Sequence, residues 1–235
     1  MKTLTESSLG KKALMAVSGI VLFGFVFVHM AGNLKMYMGE EAFNQYADGL
    51  RELGAPFFPH SGLLWVARIV LLAAVLVHMW AAWAVWRQAK AARGKSYVKH
   101  RYVQADYAVR TMRWGGVIIL LFIIYHLLHL TFGTVHPDFQ PPTEVVMDGH
   151  VVEKHNAYHN VVTGLANPLV ALVYIVANLA LGFHLYHGVW SLFQTLGLNH
   201  PRYNALRRYA AAAFAFIVTA GNVSFPIAIL SGIVR

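Results

Sequence analysis

Four histidines stand out because each lies inside a different strongly apolar stretch of the chain: His29, His78, His126 and His184. An ionisable side chain is costly to place in hydrocarbon, so it needs a partner or a functional role. A single such residue could be a core histidine whose hydrogen bonds are satisfied by its neighbours. Four of them, one in each stretch, predict ligands that meet in two pairs.

Five apolar runs are long enough to cross a bilayer as helices, at about 13–34, 63–86, 114–135, 165–193 and 209–232. The composition agrees, because only 12% of the residues are charged, whereas soluble domains have about a quarter. No convincing small-residue cleavage site follows the first run, so we expect it to be retained as a helix. The sequence predicts an all-α integral membrane bundle of five transmembrane helices, forming a single domain over residues 1–235.

The basic residues predict the orientation of these spans. Most of them lie before the first span, between the second and third, or between the fourth and fifth: Lys2, Lys11, Lys12, Arg87, Lys90, Arg93, Lys95, Lys99, Arg101, Arg110, Arg113, Arg202, Arg207 and Arg208. The opposite side has Lys35, Arg51, Lys154 and Arg235. By the positive-inside rule, the N-terminus is expected in the cytoplasm and the C-terminus outside.

Helical rise predicts which histidines share a membrane depth. At about 1.5 Å per residue, His78 and His184 lie roughly 14 and 16 Å above the cytoplasmic boundary. His29 lies roughly 25 Å above that boundary and His126 roughly 20 Å. We therefore expect an inner pair, His78 with His184, and an outer pair, His29 with His126. Two neighbours compete for these roles, because each lies three residues further along nearly the same helix face: His129 and His187.

Paired imidazoles predict the type of metal site. The chain contains no cysteine, which excludes thiolate ligands for an iron–sulfur cluster and covalent attachment of a c-type haem. Haem b needs one neutral imidazole nitrogen on each side of the iron, and a histidine on both sides leaves no position open for oxygen. The four histidines therefore predict two haem b groups that carry electrons across the bilayer.

Arg68 is the one basic residue within a predicted span. It lies ten residues before His78, roughly 15 Å nearer to the outside, and so at the level of the outer pair. A buried guanidinium needs an anionic or strongly accepting partner. A haem propionate and a quinone carbonyl are both candidates, and snorkelling to the outer surface is the alternative without a ligand.

Several segments together resemble a known family, the single-subunit, five-helix, dihaem cytochrome b anchors (type B) of succinate dehydrogenases and menaquinol:fumarate reductases. The resemblance covers essentially the whole chain. It is carried by Ser8-Leu9-Gly10-Lys11-Lys12, His29-Met30-Ala31-Gly32-Asn33, Val77-His78, Tyr125-His126-Leu127 and Phe183-His184-Leu185-Tyr186-His187-Gly188-Val189-Trp190-Ser191. The positions of the ligand histidines within the family's motifs favour His126 over His129 and His184 over His187.

The resemblance implies a position in a respiratory complex of the cytoplasmic membrane. It implies a flavoprotein subunit with covalent FAD that interconverts succinate and fumarate, and an iron–sulfur subunit on the cytoplasmic side. Electrons would pass through the inner and then the outer haem to a quinone, usually menaquinone. Some fumarate reductases of this family carry a glutamate two residues before the fourth ligand as a proton relay, and here that position is Gly182.

The quinone site is expected near the outer haem, where the reachable polar residues are Asn33, Lys35, Arg51, Glu52 and His60. A quinone needs donors for its carbonyls and an acid or base that handles its protons, and Glu52 is the candidate proton carrier. Two other readings remain open. One is the dihaem anchor of another quinone-linked dehydrogenase, such as a hydrogenase or formate dehydrogenase, and the other is a transporter with a histidine proton relay.

Overall fold

The computed structural model describes residues 5–94, 107–147 and 150–235, and the protein is 77% helical. Along the chain the helices are α1 (Ser8–Asn33), α2 (Glu40–Gly49), α3 (Gly62–Ala92), α4 (Tyr107–His126), α5 (Ala157–Leu165), α6 (Pro168–Thr195) and α7 (Asn204–Leu230). A hairpin of β1 (Thr143–Met147) and β2 (His150–Lys154) joins α4 to α5. Four of the basic residues used to predict orientation lie outside the described residues: Lys2, Lys95, Lys99 and Arg101.

Five of these helices, α1, α3, α4, α6 and α7, are long and apolar enough to cross a membrane. The predicted all-α bundle of five apolar spans is thus confirmed in its helical content, with the hairpin as an unpredicted addition. The fourth span begins later than predicted, because Leu165 belongs to α5. The side chain of Asn167 caps α6 by accepting a hydrogen bond from the backbone N–H of Leu169 at 2.9 Å, and Pro168 occupies the first turn.

The third span ends differently from the prediction, which extended it to residue 135. After His126 the chain forms one wider π-helical turn, Leu127–Thr131. The backbone N–H of Phe132 closes it by donating to the carbonyl of Leu127, five residues earlier, at 2.8 Å. Such single π turns inside α-helices are frequent at functional sites.

The membrane helices divide into two groups, and we call the space between them, where side chains of α1, α3, α4 and α6 meet, the cleft. Helix α1 packs along α3, whereas α6 packs along both α4 and α7. Direct contacts between the groups are fewer and run from α1 to α6 and α7. Over the described residues, the backbones of α1 and α4, and those of α3 and α6, make few close contacts at most. Side chains from these four helices therefore line the space between the groups.

We call the side of the bundle on which α1 begins the near face, and the other side the far face. Cations lie over tryptophan rings at the near face, as in the pairs Arg87–Trp83 at 4.8 Å and Arg208–Trp190 at 5.1 Å. Tryptophan is enriched where helices cross from hydrocarbon to headgroups. These pairs therefore mark the helix ends at the near face as an interfacial layer.

The far face is covered by a layer that we call the cap, formed by a 3₁₀ turn at Leu34–Met38, helices α2 and α5, and the hairpin. The Asp48 carboxylate joins α2 to the start of α5, because it accepts hydrogen bonds from the backbone N–H of His155 at 3.2 Å and from its ring Nδ1 at 3.0 Å. The Tyr158 hydroxyl donates to the backbone carbonyl of Arg235 at 2.9 Å. Buried Phe43 and Tyr158 belong to the same apolar cluster as Phe225 of α7, so the cap is packed onto the bundle.

Candidate functional site

The four intramembrane histidines meet as two pairs across the cleft. His78 of α3 and His184 of α6, here called the near pair, have ring centres 6.2 Å apart and ring planes inclined at 58°. His29 of α1 and His126 of α4, the far pair, have ring centres 5.9 Å apart and planes inclined at 83°. Each pair contains one histidine from each helix group. The structure brings together the two expected pairs, and it places His126 opposite His29 although His129 is slightly nearer to His29 in height along the sequence.

In the near pair, the orientation of the His78 ring is set by the backbone of α1. Its Nδ1 lies 3.0 Å from the carbonyl oxygen of Met15 and 3.3 Å from Oγ of Ser18. A carbonyl only accepts, so Nδ1 is the protonated nitrogen that donates to Met15, and Nε2 is the unprotonated one. Gly19 of α1 also borders the ring, because a Cβ there would lie 3.5 Å from the imidazole, an ordinary contact distance.

The other member of the near pair, His184, has a buried Nδ1 with no hydrogen-bond partner among the described residues. A buried polar atom without a partner costs free energy, so the protein contacts do not by themselves explain an imidazole at this position. The competing histidine, His187, lies one turn further along α6 with its ring centre 6.5 Å from that of Trp190. The structure thus places His184, and not His187, opposite His78.

In the far pair, His126 is held by side chains rather than by backbone. The hydroxyl of Tyr174, in the second turn of α6, lies 3.3 Å from Nδ1 of His126 and 2.9 Å from Nδ1 of His129. Its opposite member, His29, stacks on Phe25 at 5.3 Å. Nδ2 of Asn33 lies 3.4 Å from Nε2 of His29, a long hydrogen bond that a metal at this nitrogen would displace.

His129, which competes with His126 in the sequence, faces away from the far pair. Its ring is only 1% exposed and is surrounded by the rings of Tyr125, His136 and Phe139, at centre distances of 5.3, 5.8 and 5.3 Å. It lies against the cap, where a Cβ on Gly164 would come within 2.7 Å of its Nε2. The neighbourhood of His129 is therefore filled by protein, whereas His126 borders the cleft.

The spacing of both pairs fits a metal bound between imidazoles. A metal that binds one imidazole nitrogen on each side at about 2 Å places the two ring centres roughly 6 Å apart. Over the described residues no group of three or more His, Cys, Asp or Glu side chains converges on a point. Haem iron needs only two protein ligands, since the macrocycle supplies the other four. The residues of both pairs therefore fit haem iron.

Arg68 has no acidic partner among the described residues. Its guanidinium lies over the ring of Trp65 at 4.8 Å and is half-buried. Arg51 lies close enough for the two charges to interact: burial lowers the pKa of Arg51, Asp48 raises it, and Arg68 lowers it further. Glu153 also raises the pKa of Arg51, so carboxylates already lie near this cation. This leaves the propionate and quinone alternatives for Arg68 open.

The five quinone-site candidates do not converge on one cavity. Lys35 lines an open cavity of about 580 Å³ between the 3₁₀ turn and α2, together with Gln45 and Tyr46. Glu52 and His60 instead form an exposed ion pair with 3.4 Å between carboxylate and ring nitrogen. The remaining two candidates are engaged elsewhere: Asn33 contacts His29, and the Arg51 guanidinium donates to the carbonyl of Ala47 at 2.6 Å.

Sequence reasoning missed Tyr174, Tyr46 and Gln45. The signal for Tyr174 was a phenol within an apolar span, because a buried tyrosine hydroxyl usually has a hydrogen-bond partner. The structure also explains Gly182. A side chain there would collide with Oγ1 of Thr219 on α7, so this bundle has no room for a glutamate at that position.

Comparison with protein-family models, curated proteins and solved structures finds no significant match to this chain.

Proposed function

We propose that this chain is a dihaem cytochrome b, the membrane anchor of a succinate:quinone oxidoreductase. The observation that carries the proposal is the pair of ring distances, 6.2 and 5.9 Å, at two depths of the same cleft. One buried pair of histidines could be a packing feature. Two pairs that both span the helix groups at metal-bridging distance are best explained as ligands of two stacked haems.

In this proposal the near pair holds the haem that receives electrons and the far pair holds the haem that delivers them. A haem iron bound by two histidines supplies one-electron transfer without an open coordination position. The residues of the chain hold the imidazoles, orient them and exclude water from the cleft. Met15 accepts the Nδ1 proton of His78, which leaves Nε2 of this residue as the metal-binding nitrogen.

The near face is the proposed docking side for an iron–sulfur subunit, which in turn binds a flavoprotein with FAD. Most basic residues of the chain flank the helix ends at this face, including Lys90 and Arg113, which lie over the ring of Trp86. We assign this face to the cytoplasm and the far face to the outside of the cytoplasmic membrane, from the positive-inside rule.

The far face is the proposed site of quinone chemistry, with menaquinone as the substrate. The cavity of about 580 Å³ has a volume usual for small-molecule sites, and its lining combines apolar side chains with Lys35, Gln45 and the Tyr46 phenol. Glu52 and His60, paired at the surface, are the proposed acid and base that exchange protons with the solvent. No succinate chemistry is assigned to this chain.

The decisive experiment is purification of the protein from its native membranes in mild detergent. We expect about two non-covalent haems per chain by pyridine haemochrome assay, and co-purification of a flavoprotein that succinate reduces. Absence of haem would overturn the proposal and favour the transporter reading. Haem together with a hydrogenase or formate dehydrogenase partner would retain the cytochrome and replace the succinate assignment.

A further inference from the structure

The Tyr174 hydroxyl lies between two histidines, His126 at the end of α4 and His129 in the π turn that follows. Its oxygen lies 2.9 Å from Nδ1 of His129 and 3.3 Å from Nδ1 of His126. The residue is only 6% exposed, and its ring packs edge-on against Phe122 at 5.0 Å between ring centres. The phenol is thus fixed in place and cannot exchange these partners for water.

Tyr174, His126 and His129 form a triad, and the direction of each hydrogen bond in it follows from the number of protons that each group has. A phenol has one proton to donate and an oxygen that accepts. If His126 binds metal through Nε2, its Nδ1 carries a proton and donates to the oxygen of Tyr174. The phenol then donates its own proton to Nδ1 of His129, which is left with a proton on Nε2. The three groups form a directed chain that starts at a far-pair imidazole.

His129 is well placed as the fixed end of this chain. Its ring is stacked on Tyr125 with an angle of 20° between the planes, and the absence of a side chain at Gly164 lets α5 close over its Nε2. The Nε2 of His129 and the Nδ1 of His136 beyond it are both buried, and neither has a hydrogen-bond partner among the described residues. The ring of His129 therefore cannot turn away, and its Nδ1 stays directed at the phenol.

We propose that Tyr174 is the positioning residue for the haem ligand His126, with His129 as the acceptor that fixes the direction of the phenol. The inference rests on the proposed function of the far pair. Acceptors on the second nitrogen of a metal-bound histidine fix its tautomer and raise its basicity. A more basic ligand stabilises ferric iron, so the hydrogen bond from His126 to Tyr174 lowers the reduction potential of the far haem.

The test compares Tyr174→Phe with wild type in the purified complex, by redox titration of the two haems and electron paramagnetic resonance of the oxidised protein. We expect two haems in both proteins, a higher midpoint potential for one haem, an altered low-spin signal for that haem, and no change for the other. Tyr125→Phe is the matched control. The ring of Tyr125 stacks on His129, but over the described residues its hydroxyl forms no hydrogen bond with His126 or His129.

A second pair of variants keeps the inference testable if Tyr174→Phe fails to assemble. His129→Leu removes the acceptor that directs the phenol but leaves the phenol oxygen beside His126, so we expect a shift of the same haem in the same direction that is smaller than in Tyr174→Phe. His129→Asn retains an acceptor oxygen and is expected to restore most of the wild-type potential. Unchanged potentials in a two-haem Tyr174→Phe protein, or equal shifts of both haems, would overturn this role of Tyr174 but not the proposed function. A wild-type protein without haem would overturn the proposed function instead.

Discussion

The near and far pairs have almost the same spacing between rings but differ in what holds them. In the near pair, His78 is oriented by the carbonyl of Met15, a backbone group that no substitution removes. In the far pair, His126 is oriented by the phenol of Tyr174, which a single substitution abolishes. The difference shows that one bundle can combine a ligand environment fixed by helix geometry with one that side chains can adjust.

The two pairs also differ in the part of the protein that surrounds them. The near pair lies among membrane helices, where Gly19 and Gly116 face the two imidazoles at ordinary contact distance. The far pair lies beneath the cap, whose helix α5 reaches down to His129. Changes in the cap are therefore expected to affect the far pair and leave the near pair unchanged.

The largest expected effect is the loss of one haem when a ligand is removed. His126→Ala or His184→Ala should reduce the haem content from about two per chain to about one, because iron retains a single protein ligand. The matched controls are His129→Ala and His187→Ala, which should retain both haems. Haem quantification against protein concentration gives the result, and retention of two haems in His126→Ala with loss in His129→Ala would reverse the assignment.

Gly164→Ala is expected to damage the far pair alone. A methyl group there lies 2.7 Å from Nε2 of His129, so the ring must shift, at a cost of about 1–3 kcal/mol for overpacking. We predict a lower occupancy or an altered spectrum of the far haem. Gly188→Ala, four residues after His184, is the control on the near side, because a Cβ there meets no atom within 4 Å. Equal effects of both variants on the two haems would contradict the asymmetry.

Loosening the cap should have a smaller effect. Asp48→Ala removes two hydrogen bonds to His155, each contributing about 1 kcal/mol. Thermal unfolding followed by the intrinsic fluorescence of the six tryptophans should show a lower midpoint. Glu52→Ala breaks an ion pair whose side chains are 59% and 49% exposed, and such surface pairs contribute about 0–1 kcal/mol. A larger loss in Glu52→Ala than in Asp48→Ala would show that the cap is not held as described.

The smallest effect is expected at Ser18. Its hydroxyl donates to the carbonyl of Leu14 at 2.7 Å and lies 3.3 Å from His78. Because Met15 still accepts the proton of His78 in Ser18→Ala, the near haem should keep its potential, in contrast with the far haem in Tyr174→Phe. Redox titration measures both, and a shift in Ser18→Ala as large as that in Tyr174→Phe would remove the distinction between backbone and side-chain support.

The sequence predicted the depth of the histidines well because depth depends only on the constant rise of an α-helix. The outer level of His29 could therefore be matched to the stretch from His126 to His129 before any packing was known, with His129 slightly the nearer in height. It could not separate His126 from His129 without the family resemblance, because that choice depends on which direction each ring faces. Nor could it place Tyr174, since the contact joins residues 48 positions apart through the packing of α4 on α6. The cap was equally inaccessible, because short polar segments lack a periodic pattern.

The π turn at Leu127–Thr131 has a consequence for the pitch of the third span. In a regular α-helix each residue rotates the chain by about 100° around the helix axis, so residues three apart lie on nearly the same face. The turn closed by the hydrogen bond from Phe132 to Leu127 contains one residue more than an α-helical turn, so each of its residues rotates the chain by a smaller angle. His129 is thereby rotated away from the direction of His126. Deleting Leu128 would restore the α-helical phase and present a different face of the chain to the cleft.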